Sequence, residues 1–350
     1  MRVLLGIATL TTALLLGSTA PGVARPSHGD PTWRAADVDT VQQLRGLDAV
    51  DRDVAWVSGS AGGVWRTRDG GASWQDVSPR GADGLVFRDV EATDATHAQV
   101  LAIGEADASR IYRTTDGGAT WRRTFTNNDP AAFYDCLAFW PGGKYGVAMS
   151  DPVDGKFRII ETRDSGASWQ LVDPAGMPAA VDGEFGFAAS GTCLVTAGGR
   201  DVWLASGGSA SRIFHSRDRG HTWTVAESTI PAAPAGGVFS LAFRNPRQGI
   251  AVGGDFTAPD DGADGSAFSG DGGRSWTNGG DLSGYRSGVS WLSGAPRTAV
   301  AVGPNGSDLT RDGGRSWHRF SDTGFDAVQC TKDGACWGSG TTGRVALLVR

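Results

Sequence analysis

The sequence predicts an all-β protein, a seven-bladed β-propeller of four-stranded antiparallel blades closed by an N-terminal strand that pairs into the C-terminal blade. Three observations predict it. An eight-residue pattern, Ser/Thr-x-Asp-x-Gly-x-Ser/Thr-Trp, occurs six times, with aspartates at Asp69, Asp116, Asp164, Asp218, Asp271 and Asp312 and tryptophans at Trp74, Trp121, Trp169, Trp223, Trp276 and Trp317. The aspartates lie 47, 48, 54, 53 and 41 residues apart, a period that marks an array with one supersecondary unit per copy. Each unit reads as four short strands. The two ends of the chain, finally, carry complementary parts of one more unit.

The chain opens with Met1-Arg2, an apolar run from Val3 to Leu16 and small residues up to Ala24. This reads as a secretory signal peptide over residues 1–24, cleaved after Ala20 or Ala24, followed by a linker over 25–31 and the propeller over 32–350. The apolar run is shorter than the roughly 20 residues of a membrane span. No second such run follows, so a secreted protein without a transmembrane anchor is expected.

In the first full unit, Leu44–Val50, Val54–Ser58, Val64–Thr67 and Ser73–Val77 are the four strands, joined by Asp/Gly-rich turns. The motif forms the turn between the third and fourth. Its Asp accepts turn N–H groups, its glycines allow positive φ, and its Trp packs against a neighbour, so the motif reads as structural. At the C-terminus, Asp326–Cys330, Ala335–Gly338 and Gly343–Leu348 supply three strands and no motif. Thr32–Val38 resembles a fourth strand without its first three. Joined, they close the ring and leave no open edge.

A net charge of −6 and a pI near 5.4 argue against binding nucleic acid through a broad basic surface. The four cysteines fall in a disulfide-permissive compartment. Cys330 and Cys336 flank a turn between two strands and are expected to form a hairpin disulfide. Cys136 and Cys193 lie in different repeats; their pairing is open, and two free buried thiols are one reading. No histidine pair has metal-ligand spacing, and neither a phosphate loop, a dinucleotide fingerprint nor Gly-x-Ser-x-Gly is present. No metal or cofactor is expected. The acidic loop over 255–265 carries four carboxylates but lacks the full calcium-loop pattern.

The motif turns share one face of the ring, whereas the loops of the opposite face vary in length. From motif Trp to the next first strand the gap runs from 9 residues (Trp317 to Asp326) to 17 (Trp223 to Ser240). Variable loops on a rigid scaffold are where binding sits. Aligning the first strands puts Arg45, Arg88, Asp135, Phe185, Ser240, Arg286 and Asp326 at the mouth of the channel on that face, with Glu184 beside Phe185. Arginines in such a set suit carboxylate or phosphate. The loops 150–156 and 255–265 lie on the same face.

On its six motifs the chain resembles the Asp-box (BNR) repeat propellers, and within them the photosystem II stability/assembly factor-type propellers and their exported bacterial relatives. The resemblance runs from Thr32 to Arg350 and implies a monomeric scaffold binding a protein, peptide or glycan on its variable face. The same box occurs in sialidases, which would imply a glycoside hydrolase with a tyrosine–glutamate pair and an arginine triad. Tyr134, Glu184, Arg45, Arg88 and Arg286 are the residues available for it. The chain departs from that family: the Phe-Arg-Ile-Pro opening is absent, and Val86-Phe-Arg-Asp89 does not replace it. Another enzyme, an oxidoreductase included, would rest on fold analogy alone.

Overall fold

A computed structural model describes residues 29–349. The proposed signal segment, 1–24, and most of the proposed linker lie outside the described residues. Seven antiparallel sheets follow one another around a ring, and the only helical segments among the described residues are the 3₁₀ turns Ala106–Ala108 and Pro174–Gly176. The innermost strands, in blade order, are Leu44–Ala49, Val86–Ala92, Tyr134–Phe139, Leu194–Ala197, Gly236–Asn245, Gly288–Trp291 and Ala327–Cys330. None of their residues is exposed except Arg244. Leu44–Ala49 and Tyr134–Phe139 are buried along most of their length, because each inner strand is flanked by two other blades as well as by its own second strand.

The ring closes through Thr32–Ala35, which pairs with Val345–Val349 as the outer strand of the last blade. Two more backbone bonds, from the Ala36 and Val38 N–H groups to the Val345 and Gly343 carbonyls, extend the ladder. Trp33 then packs on Phe325 with ring centroids 4.6 Å apart, and its indole N–H donates to Ser307 of the sixth blade.

The six motif turns are built alike. In the first, the Thr67 hydroxyl donates to Asp69 at 2.8 Å, and Asp69 accepts the Ser73 N–H at 2.9 Å and the Ser73 hydroxyl with its other oxygen. The Gly71 N–H returns a bond to Thr67. The fourth motif position tolerates side chains at positive φ, as in Ser165 (61°) and Arg219 (64°), but the fifth is always glycine. A Cβ on Gly71 would meet the Ala36 Cβ at 2.7 Å, and one on Gly118 the Val77 Cβ at 2.5 Å, so the fifth position is where one blade rests on the previous one. The Trp then joins blades. The Trp74 and Trp121 indoles donate to the Ala36 and Val77 carbonyls, although only Trp223 and Trp276 of the six are fully buried.

Adjacent inner strands are also joined by side chains. Asp48 accepts the Ala92 N–H, Asp89 the Leu137 N–H, Glu91 the Phe139 N–H, Ser240 the Val289 N–H, Ser290 the Cys330 N–H and Gln329 the Ala49 N–H. These groups satisfy N–H donors that face the next blade instead of a ladder partner.

Among the described residues no cysteine is free. Cys330 bonds Cys336 across the hairpin of the last blade, where the two are register partners. Cys136 and Cys193 are not free thiols: they form a disulfide between blades three and four. Residues 57 apart in sequence meet because neighbouring inner strands converge on the ring axis, which brings the two Cα atoms within 6.1 Å.

Candidate functional site

At the mouth of the channel the inner strands of blades one, two, three and five each carry a β-bulge. The register slips between Leu44 and Gly46, Phe87 and Asp89, Tyr134 and Cys136, and Val238 and Ser240. The extra residues are therefore Arg45, Arg88, Asp135 and Phe239. A bulge releases one residue from the alternation and re-aims its side chain, a device common beside binding sites. It also explains why sequence alignment chose Ser240 for blade five: Ser240 is one step further along, where its hydroxyl joins the ring of inter-blade bonds. In blade six Gly288 pairs with Val302 as Gly46 pairs with Ser58, so Ser287 and not Arg286 is in step.

Blade four departs most. Glu184–Phe185 is not its first strand. It pairs with Gly207–Gly208, and that two-stranded ladder adds to the inner edge of blade five, making a six-stranded sheet. The approach is close enough to need glycine: a Cβ on Gly207 would meet the Phe187 ring at 2.2 Å, and one on Gly237 the Gly207 Cα at 2.4 Å. The insertion lays Phe187 face to face on Phe239, with centroids 3.8 Å apart. Tyr285 packs edge-on to Phe239 at 4.7 Å, and Phe256 stands at 6.2 Å from it.

These aromatic residues line a cavity of about 520 Å³ together with Arg45, Arg88, Arg344, Gln43 and Asp326. Asp326 is the single carboxylate among the described residues lining it. It is already engaged, accepting from Gln43 at 3.0 Å and lying 3.7 Å from the Arg45 Nε. Arg88 and Arg344 are held differently. Each donates to a backbone carbonyl, of Ala188 and Gly324 respectively, which positions the guanidinium without neutralising it. The Arg88 Nε is out of solvent with no partner. Burial, and next the neighbouring Arg45, lowers Arg88 to about 10, so it stays cationic at neutral pH.

Of the residues aligned at the mouth from sequence, Arg45, Arg88 and Asp326 line the cavity together. The other five do not: Phe185 and Ser240 are absent from the lining, and so are the three charged residues. Arg286 is fully buried and bonded to Asp308, to Ser283 and to the Tyr285 carbonyl. Glu184 is buried against Arg212. Asp135 lies beneath the mouth beside Asp151 of the 150–156 loop. Tyr134 is buried against Phe125 and meets neither Glu184 nor the cavity. A tyrosine–glutamate centre built on these residues is not present. Missed from sequence were Arg344, Gln43 and the Phe187, Phe239, Phe256 and Tyr285 wall. Their one signal was glycine density, at Gly207-Gly208 and Gly236-Gly237.

The 255–265 loop contributes Phe256 and Pro259 to the cavity rim. Its carboxylates cap separate turns: Asp255 bonds Thr257, Asp261 the Ala263 N–H, and Asp264 the Asn278 amide. Among the described residues no cluster of three or more carboxylates, histidines or cysteines is arranged to hold a metal.

The channel carboxyls and the motif carboxyls are perturbed in opposite directions. Burial raises Asp48 to about 6 and Asp89 to about 8, and lifts Glu91 and Asp135 well above the usual carboxylate range. In the motifs, the Ser73 hydroxyl lowers Asp69, and the Thr120 hydroxyl lowers Asp116 to about 2. A raised group keeps its proton in the folded state after the unfolded chain has released it. Its stability contribution is complete below about pH 4 and is lost as pH rises toward about 8. The lowered motif aspartates contribute above about pH 4 and lose that contribution as pH falls toward about 2. The melting temperature is therefore expected to peak at mildly acidic pH. Asp89→Asn, which keeps an acceptor for the Leu137 N–H, should flatten the decline between pH 5 and 8. A melting profile that rises steadily over that interval would contradict this account.

No protein-family profile matches the chain, and no curated protein matches it. Among solved structures the fold is similar to YCF48 bound to D1 peptide, with a TM-score of 0.66 and 16% identity over 95% of this chain and 100% of that one. It is also similar to YCF48 from Cyanidioschyzon merolae, with a TM-score of 0.59, 15% identity and coverage of 91% and 98%. A GH74 enzyme from Niastella koreensis gives a TM-score of 0.61 at 13% identity over 90% of this chain, which spans only 53% of that enzyme. At such identities the likeness is one of fold: these structures and the seven sheets define the chain as a seven-bladed β-propeller.

Proposed function

We propose that the protein is an exported, monomeric propeller of the Asp-box type that acts as a binding or assembly scaffold, holding a protein or peptide partner on its variable-loop face. The observation that carries this reading is the mouth itself, an aromatic- and arginine-lined cavity on the face whose blade-joining loops also carry exposed apolar side chains. Val41 is 89% exposed, Phe256 51% and Val181 45%, all on that face. Apolar groups gathered beside a cavity mark an interaction surface more than scattered ones do. The YCF48 neighbour with its bound D1 peptide supports the same class of partner. Export is supported by the residue pattern of 1–24 and by the pairing of all four cysteines, as suits an oxidising compartment.

A glycoside hydrolase fits the mouth less well. Such enzymes set two carboxyl groups about 5–5.5 Å or about 6.5–9.5 Å apart, and Asp326 has no second carboxylate with it in the cavity. Selection of peptides from a displayed library on the full chain tests the scaffold reading. Bound peptides are expected to slow amide exchange at residues 41–43, 181–189 and 255–260, and Val41→Asp or Val181→Asp should weaken them at least about tenfold. Protection confined to the motif turns, or failure to select any peptide, would overturn it.

A further inference from the structure

We infer that the mouth cavity is a pocket for a carboxylate carried on a flat apolar body, with the anion on Arg88 and Arg344 and the body against Phe256 and the buried Phe187, Phe239 and Tyr285 behind it. The inference deepens the scaffold reading, which rests on the same mouth, by naming the chemistry of what the cavity would hold. Three features carry it. The first is charge. Three arginines and one carboxylate line the space, and Asp326 is turned toward Gln43 and Arg45. Arg88 and Arg344 are positioned by carbonyls and share the field of that one carboxylate with Arg45, so the arginines of the cavity outnumber their counter-ion.

The second is an unmet donor. The Nε of Arg88 is shielded from solvent and makes no hydrogen bond, so its guanidinium is short of a partner and a ligand in the cavity would meet it through its outer nitrogens. A buried donor without a partner costs free energy until an acceptor arrives, and a carboxylate can meet a guanidinium with two parallel bonds. Burial of Arg88 strengthens such a contact, since the charge is less screened there than on the surface.

The third is the aromatic lining. Phe187 and Phe239 stack on each other within 13° of parallel and Tyr285 is edge-on to Phe239, all three buried. They back the half-exposed Phe256 ring, which is the surface a flat apolar group would pack against. A volume of about 520 Å³ is within the range of small-molecule sites and exceeds what a bare inorganic anion would fill. Phe187 joins the wall where the Glu184–Phe185 and Gly207–Gly208 ladder is added to the fifth blade. The elaboration that breaks the repeat thus adds one of the four aromatics, the one stacked on Phe239.

The carboxylate could come from a free aryl acid or from the C-terminal aromatic residue of a peptide. Calorimetry on the full chain separates these with 2-naphthoate and 2-naphthamide, and with acetyl-Gly-Gly-Phe as acid and as amide. The acid form of at least one pair is expected to bind about tenfold or more tightly than its amide. Arg88→Ala should weaken that acid by about ten- to a hundredfold, Phe256→Ser should weaken it too, and Arg122→Ala on the exposed outer strand should leave it unchanged. Melting curves establish that each variant is folded, and Arg344→Ala serves as the second anion-side variant if Arg88→Ala is not. Binding of naphthoate alone identifies a small acid as the source; binding of the peptide acid alone identifies a chain terminus. If neither acid binds, if acids and amides bind equally, or if the arginine variants bind like the parent, the inference is wrong. The scaffold reading would be untouched, because its own test reads the rim residues Val41 and Val181.

Discussion

Deleting residues 25–38 should open the ring and leave a protein that aggregates or fails to melt cooperatively. The strand Thr32–Ala35 provides the fourth strand of the last blade through four register pairs with Val345–Val349. Without it the Val345–Val349 strand becomes an open edge, with buried apolar residues and unpaired backbone groups that template other chains. The loss extends past that one blade. Trp33 packs between Phe320 and Phe325 and bonds Ser307, while Ala36 and Val38 are buried in the cluster that joins the last blade to the first. The Ala36 carbonyl also accepts the Trp74 indole. Trp33→Ala alone should cost about 3 kcal/mol, the lower end for a large aromatic, since the side chain is half-buried. The deletion removes that contact together with the others, against a total stability of about 5–15 kcal/mol for a typical domain. Light scattering and thermal melting of the deletion beside Trp33→Ala check this. A monodisperse deletion with an unchanged melting temperature would show that the ring closes without the strand.

The repeat made the blades legible because each motif must meet the same local demand. A hydroxyl, a carboxylate and a glycine have to sit at fixed offsets for the turn to close on itself and rest on the previous blade, as Thr67, Asp69 and Gly71 do. The split last blade was legible for a related reason, since Thr32-Trp33 and Ser73-Trp74 begin equivalent outer strands. The site was less so. Arg45, Arg88 and Asp326 were found because first strands align. Phe239 was missed by one residue because a bulge shifts the register without changing composition. Glu184 and Phe185 look like a strand and do form one, but their partner is Gly207–Gly208 and not the second strand of their own blade. Arg344 follows the loop joining the second and third strands of the last blade, where nothing in its neighbours distinguishes it from a solvated arginine. The Cys136–Cys193 bond depends on which inner strands converge, a property of the closed ring and not of either repeat.

Arg286 shows most directly how a charge in the right sequence position can serve stability instead of binding. It is fully buried, and its Nε donates to Asp308 at 2.7 Å while its other nitrogens donate to Ser283 and the Tyr285 carbonyl. Asp308 is equally buried and also accepts the Ser283 N–H. Attraction between such groups offsets the cost of removing them from water only while both are present. Asp308→Ala should therefore cost about 3–5 kcal/mol by leaving the Arg286 charge buried and unpaired, and Arg286→Ala should cost a similar amount by stranding Asp308. The double variant Arg286→Met/Asp308→Leu should recover much of that loss, because it strands neither charge. Denaturant unfolding of the two single variants and the double variant gives the coupling energy. At Arg88 the same experiment should read differently, because Arg88 bonds a carbonyl and not a carboxylate. Although its charge also acts on Asp326 and Asp135, Asp326 keeps Gln43 and Arg45, so Arg88→Ala should cost less stability than Arg286→Ala while affinity for an acid falls. If the Arg286 and Arg88 variants lost stability alike, the division between a structural arginine and a ligand-facing one would fail. If only Arg286→Ala unfolded the protein, the two roles that the sequence had merged would stand apart.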